Sequence, residues 1–457
     1  MTDLARTAAP LEPVRIGPLT FAAGISRLNA WTYLYQSFVT VALFSFLSFS
    51  QPYVLSEVLR IPAEQSGRIT GALVTMQEIV AMLLIGYAGA LSDRVGRRPL
   101  FALGFLIMAA GYALFPFATV TAELFIYRFI YAVGVAIAGV LFAVIAADYP
   151  AESARGRLAG ASGFLNGLGV ALAAVAFSQL PALATAAGYS SSQAARLLLL
   201  GVAGLALFTA LAMQLGLKAG TPGRRRDRVT LLTTVRVGLR EGLANRQLLL
   251  CYAGGFISRA DLTLVATFIS LWLQQAGRNE GLTPEEAIAR AGMLFGIIQG
   301  SSLLWAPVCG FLLDRFNRLG CLVAALLVAG IGYTFLGLQS HPFEAGGIAG
   351  AVIVGIGQMS VILSSTALLG QESPVDARGA VIGLAGFCGA VGILTTSVAG
   401  GFLYDHWRIS GPVLFVGIAN LIVFGFGLRL WIAYGKPLRY DRMQQRHAAA
   451  ATVEIAH

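Results

Sequence analysis

Apolar residues run along this chain in unbroken stretches of about 20, separated by short polar turns. Twelve stretches are marked, roughly 27–50, 68–91, 99–118, 121–147, 158–180 and 194–217, then 248–275, 289–313, 320–339, 347–370, 379–403 and 411–434. Each is long enough to cross a hydrocarbon core of ~30 Å as a helix. Lipid satisfies no backbone N–H or C=O, so a spanning segment is either a helix or a strand of a closed barrel. Barrel strands alternate apolar and polar positions. These runs do not alternate, so the pattern predicts an all-α membrane protein of about twelve transmembrane helices. The polar stretch 218–247 divides it into a first half at 1–217 and a second half with a tail at 248–457.

Composition agrees, with 57% hydrophobic and only 12% charged residues, which argues against a soluble chain of the same length. An even number of spans puts both termini on one side. The loops and termini of that side carry 23 of the 32 Lys and Arg, against six on the opposite side. The positive-inside rule then places both termini in the cytoplasm of a plasma or bacterial inner membrane, and the net charge of +10 is a topology signal. The first residues hold Arg6 and Arg15 with no apolar core, unlike a cleavable signal peptide. In the polar connection, Arg224 to Arg226 and Arg228 precede a segment where Leu232, Val235, Leu239 and Leu243 share one helical face. Such a basic stretch beside a membrane meets anionic headgroups, and no nucleic-acid partner is expected. Cys251, Cys309, Cys321 and Cys388 lie singly in apolar runs, with no metal or disulfide spacing. No metal and no cofactor are expected.

Between the second and third runs stands Gly89-Ala-Leu-Ser-Asp93-Arg94-Val-Gly96-Arg97-Arg98. A second copy, Gly310-Phe-Leu-Leu-Asp314-Arg315-Phe-Asn-Arg318-Leu-Gly320, lies 221 positions on, with Leu319 where a basic residue would match. Arg155-Gly156-x-x-x-Gly160-x-x-Gly163-Phe164 recurs as Arg378-Gly379-x-x-x-Gly383-x-x-Gly386-Phe387, shifted by 223. Asp148 and Pro150 precede the first copy, Glu372 and Pro374 the second. The chain resembles the major facilitator superfamily of secondary transporters, whose helix 2–3 loop carries a G-x-x-x-D-R-x-G-R-R pattern. The resemblance implies two six-helix halves in parallel repeat, with inverted three-helix units inside each. It also implies a central cavity lined by helices 1, 4, 7 and 10. In the family the motif carboxylate lies at the start of a helix in the other half, which here pairs Asp93 with the start around Gly379 and Asp314 with that around Gly156. A carboxylate is favoured there by the helix dipole. Gly89 would let helix 2 approach a neighbour closely. Gly96, Arg94, Arg97, Arg155, Arg315 and Arg378 would complete a conformational latch with Asp148 and Glu372. The alternative is that these arginines are topology charges alone.

Charges inside a membrane are costly, so they mark function. Arg259 lies eleven residues into the seventh run, a rise of roughly 17 Å, and Asp261 is two residues deeper. Two apart on a helix, they point in different directions. One can face the cavity while the other meets a neighbouring helix; Asp261 and Glu78 are the expected proton carriers, and Arg259 and Arg128 the expected anion-binding or coupling groups. Arg128 sits in the fourth run, with Tyr131 on its face, and suits an anionic substrate or a proton-binding carboxylate. Glu78 sits mid-way along the second run on a stripe with Gly71, Thr75, Met82 and Gly89, and is either a packed, hydrogen-bonded carboxyl or a proton-transfer site. Solute contacts are expected from Tyr33 and Gln36 in the first run, Asn166 in the fifth and Gln358 in the tenth. Trp305 is a further aromatic candidate. All four histidines lie in loops or tail, which disfavours a histidine relay.

No phosphate loop is present, so the chain is not itself an ATP-driven pump. No nucleophile–base pair points to an enzyme. The expected activity is alternating-access transport of a small organic solute by a monomer, coupled to protons. It is either import of an anion or efflux of an amphipathic compound. The alternative is a transporter-like sensor or membrane assembly subunit that does not cycle.

Overall fold

A computed structural model describes residues 14–151, 154–220, 231–374 and 376–434. The start of the described chain is a hairpin of β1 (Arg15–Ile16) and β2 (Leu19–Thr20). Helices follow as α1 (Arg27–Glu57), α2 (Ala63–Val95), α3 (Arg97–Leu114), α4 (Thr121–Asp148), α5 (Arg155–Ser178), α6 (Leu180–Ala186) and α7 (Ser191–Gly216). Then come α8 (Leu231–Ala244), α9 (Arg246–Leu264), a π-helical segment Val265–Ile269, α10 (Ser270–Asn279), α11 (Pro284–Arg315), α12 (Arg318–Leu338), α13 (Ala345–Glu372), α14 (Arg378–His406) and α15 (Gly411–Tyr434). Twelve helical segments of the described chain are long and apolar enough to span a membrane. Each contains the core of one sequence run, and α1 extends to Glu57, past the expected end near 50.

Packing divides the chain differently from its repeat. One compact unit holds Met1–Leu47, Ile79–Ala173 and Ser192–Arg225; the other holds Ser48–Glu78, Ala174–Ser191 and Arg226–His457. The end of α1, the start of α2 and the α5–α6 turn thus belong with the helices of the second half.

In the first unit, α3 and α4 meet backbone to backbone. A Cβ at Gly111 would lie 2.5 Å from Tyr131 Cβ, and one at Gly134 would lie 2.5 Å from the Met108 nitrogen. Small residues at a helix contact let main chains approach where lipid offers no competing hydrophobic drive. The Tyr112 hydroxyl donates to Leu43 O (2.6 Å) and accepts from Leu47 N–H (3.1 Å), bridging one turn of α1. Tyr131 donates to Leu43 O at 2.9 Å. At the other end, Ala22 N–H bonds Tyr149 O and Ala151 N–H bonds Thr20 O, so the hairpin clips onto the α4–α5 turn. Replacing Gly134 with valine should lower the melting temperature of the purified protein, by the upper part of the about 1–3 kcal/mol typical of overpacking. An unchanged melting temperature would show that α3 and α4 stand further apart.

The close approach expected at Gly89 is not there: a Cβ on it would only touch Val140 at 4.0 Å. The glycines that require contact in α2 are Gly67 and Gly71, a turn or more from its start. The apolar face expected on α8 is largely open. Val235 packs against a buried cluster that includes Leu248, Tyr252 and Val381, but Leu239 and Leu243 are exposed. The buried stripe runs through Gly238 and Gly242, which let α8 close onto Leu384 and Tyr252, and Tyr252 donates to Gly238 O. Leu232 and the Arg224–Arg228 cluster lie outside the described side chains.

Candidate functional site

In the first unit, Arg128 is fully buried, with its guanidinium 5.1 Å from the Tyr131 ring centre. Tyr33 is also buried: its hydroxyl accepts from Ser162 Oγ at 2.8 Å and its ring stacks on Tyr149 at 5.6 Å. Gln36, one turn further along α1, is fully buried with neither amide atom bonded to protein. Asn166 on α5 is half-buried.

The second unit separates the two charges of α9. Asp261 is fully buried and accepts from Asn420 Nδ2 of α15 at 3.2 Å, so it points into the helix bundle. Arg259 is exposed, and its aliphatic stem runs over Gly389 of α14, where a Cβ would come within 2.6 Å of Arg259 Cγ. Glu78 of α2 is half-buried. Gln358 on α13 is buried with both amide atoms unbonded to protein. Trp305 donates Nε1–H to Ser360 Oγ at 2.8 Å. Four residues beyond Asp261 the ladder widens into the π-helical turn Val265–Ile269, a geometry frequent at functional sites.

Sequence reasoning missed a set of contacts inside this unit, away from the termini. The Asp405 carboxylate of α14 accepts from Gly67 N–H and Arg68 N–H, both at 2.8 Å. A Cβ at Gly67 would lie 2.7 Å from Gly401 O, and one at Gly71 would fall on the Ser397 carbonyl. The Tyr53 hydroxyl donates to Glu285 Oε1 at 2.9 Å, and Arg278 pairs with Glu57 at 3.6 Å. Ser270 Oγ donates to Phe49 O at 2.7 Å. The seam joins α1 and α2 to α10, α11 and α14. Its signal was legible in part: Gly67-x-x-x-Gly71 and Ser397-x-x-x-Gly401 both have small-residue spacing.

Near the terminal side, Arg97 forms an ion pair with Asp148 across the starts of α3 and the α4–α5 turn. Beside them burial raises the Tyr149 hydroxyl above its ordinary range, opposed by the Lys218 backbone N–H and the Arg97 charge. The repeat is not chemically symmetric. Glu372 accepts from Asn245 Nδ2 at 2.9 Å, and Arg378 reaches Gly370 O at 3.4 Å. Arg94, Asp314 and Arg315 are exposed, and Arg315 lies 6.0 Å from the Phe311 ring. Gly96 adopts φ +101°, a conformation open to glycine, at the turn into α3. The Asp93 side chain lies outside the described residues, as does its expected pairing.

The fold is similar to the solved nucleoside transporter NupG, with a TM-score of 0.66, 12% identity, and coverage of 89% of this chain and 99% of that one. The chain is 28% identical to magnetosome protein MamH of Paramagnetospirillum magneticum over 83% of its own length and 87% of MamH. It is 26% identical to MamZ of the same organism, of which it spans 61%. A shorter stretch, 39% of the chain and 42% of the relative, is 28% identical to multidrug resistance protein MdtG of Salmonella choleraesuis. A sequence model of the Major Facilitator Superfamily matches residues 33–338 and 251–453, running through both repeats. So extensive a match makes this chain a member of the Major Facilitator Superfamily, a multi-pass membrane transporter rather than an enzyme.

Proposed function

We propose that the chain is a secondary active transporter that carries a small polar or anionic organic solute by alternating access, coupled to protons. The reading rests on one observation above all. Where α2 crosses α14, Gly67 and Gly71 meet the main chain of Gly401 and Ser397, and the Asp405 carboxylate accepts from two N–H groups beside them. A contact without interlocking side chains can part and re-form without repacking a core. Arg259, an exposed residue on a membrane-spanning helix, is the group that meets an anionic part of the solute. Gln36 and Gln358 supply amides with unused hydrogen-bonding capacity in their respective units, and Asn166 a further polar group. Glu78 carries the proton, because it is partly accessible mid-way along a membrane-spanning helix. Asp261 is a positioning group for α15. The protein acts as a monomer with both termini and the α7–α9 connection in the cytoplasm, as its arginines require.

Two experiments test this. In a background without native cysteines, Arg225→Cys and Glu280→Cys are treated with an impermeant thiol reagent in intact cells. Labelling is expected at 280 only, and labelling at 225 alone would reverse the topology. In proteoliposomes carrying an imposed pH gradient, nucleosides, organic anions and amphipathic drugs are screened for accumulation. At least one class is expected to accumulate and to exchange. A second reading, a membrane assembly subunit that does not cycle, has in its favour that MamH, matched along most of its length, is named a magnetosome protein. Failure of every solute class to exchange would favour it.

A further inference from the structure

The second unit contains a cavity of about 520 Å3 between α11, α12 and α13, with α15 at one edge. Its lining is apolar except for a few groups, and includes Trp305, Cys309, Phe316, Cys321, Ala324 and Trp431. All of these except Phe316 lie on segments long and apolar enough to span the membrane. Alongside it on α11, the exposed side chains are Leu304, Val308 and Phe311, as expected of a surface that meets hydrocarbon. On a membrane-spanning surface the surrounding medium is lipid.

Two features say which lipid. Trp305 and Arg315 are ten residues apart on α11, a rise of about 15 Å, which is the depth of one leaflet of a ~30 Å core. The lower end of the cavity, at Phe316 and Asn317, lies between Arg315 and Arg318, against the single acidic neighbour Asp314. Arg318 also anchors the turn by donating Nη1–H to Ala367 O at 3.2 Å. Asn317 caps α12 by accepting from Leu319 N–H, so this end of the groove is an ordered turn rather than a loose loop. We propose that the cavity is a binding site for one acyl chain of an anionic phospholipid, whose headgroup is met by Arg315 and Arg318. Basic residues at the membrane surface attract anionic headgroups, and the apolar groove holds the chain in place. Under the orientation proposed above the turn faces the cytoplasmic leaflet; the binding itself does not depend on transport.

The five tryptophans are Trp31, Trp272, Trp305, Trp407 and Trp431. A variant with Trp31, Trp272 and Trp407 changed to phenylalanine reports from the cavity alone. Purified in detergent, it is titrated with phosphatidylglycerol or phosphatidylcholine carrying a brominated acyl chain, which quenches nearby indoles. Saturable quenching is expected, with phosphatidylglycerol half-saturating at about tenfold lower concentration. Ala324→Phe, which fills the groove, should remove the saturable component, and the pair Arg315→Gln and Arg318→Gln should erase most of the headgroup preference. The same lipid should slow maleimide modification of Cys321 in otherwise unaltered protein, a measurement that stands even if Ala324→Phe misfolds. Quenching that is linear in lipid and equal for both headgroups would overturn the proposal, as would saturable binding indifferent to headgroup. Because occupancy is read in purified protein, a transport assay that fails leaves this result intact, and a failed lipid titration leaves the transport reading intact.

Discussion

Gly71→Val should abolish transport while leaving the protein inserted and folded. The α-carbon of Gly71 lies so close to Ser397 that any Cβ falls on a backbone carbonyl, which cannot move aside as a flexible side chain would. Gly67 is similarly placed against Gly401 O, so the two helices cannot slide one turn to find another seat. Forcing a valine into such a contact costs about 1–3 kcal/mol or more. In a two-state cycle that shifts the population away from the closed seam by roughly tenfold to a hundredfold. The rate falls accordingly, since a carrier that cannot close one side cannot open the other. A cysteine placed at Arg68, beside the seam, should become permanently reactive to an impermeant thiol reagent in the Gly71→Val background. Asp405→Ala is the milder counterpart. It strips two backbone N–H groups of their carboxylate, each bonded at 2.8 Å, without adding bulk, so it should loosen the seam and slow transport rather than stop it. Normal transport and unchanged labelling in Gly71→Val would show that the seam is a static crossing and not a gate.

The second large effect concerns energy coupling. Glu78→Gln keeps the size and hydrogen-bonding reach of the side chain and removes its charge change. With one proton per solute, a gradient of one pH unit sustains about tenfold accumulation, equivalent to about 1.4 kcal/mol. In Glu78→Gln that ratio should fall to one, while exchange of solute across the membrane continues. Asp261→Asn should behave differently. Its carboxyl is buried inside the bundle of α9 and α15, bonded to the neutral amide of Asn420, and water does not reach it in this structure. Coupling should survive in that variant, with a lowered melting temperature as the main consequence. If instead Asp261→Asn loses uphill transport and Glu78→Gln keeps it, the proton role passes to Asp261. If the double variant still accumulates solute against a gradient, protons are not the coupling ion.

What the sequence determined by itself follows from one-dimensional physics. Lipid forces every spanning segment to satisfy its own backbone, so continuous apolar runs declared the helices and their number. Arginine asymmetry pointed to an orientation, because charge crosses a bilayer at high cost. The paired Asp-Arg turns at 93 and 314, recurring in register, pointed to the transporter family that the comparisons then showed. Helix direction also said that Arg259 and Asp261 must diverge, being two residues apart. Which of them meets a neighbour was a different matter. That depends on Asn420, 159 residues away, and no local rule reaches it. The same is true of Arg128, whose burial against its aromatic neighbours depends on how α1, α3 and α4 pack. Gly89 and Gly71 look equivalent on one stripe of α2, yet only Gly71 touches another backbone, because close contact is a property of two helices and not of one. The seam that joins Tyr53, Gly67 and Gly71 to Glu285, Ser397 and Asp405 spans more than two hundred residues of sequence. Only the tertiary structure, which brings those distant ends into one compact unit, decided where these helices meet.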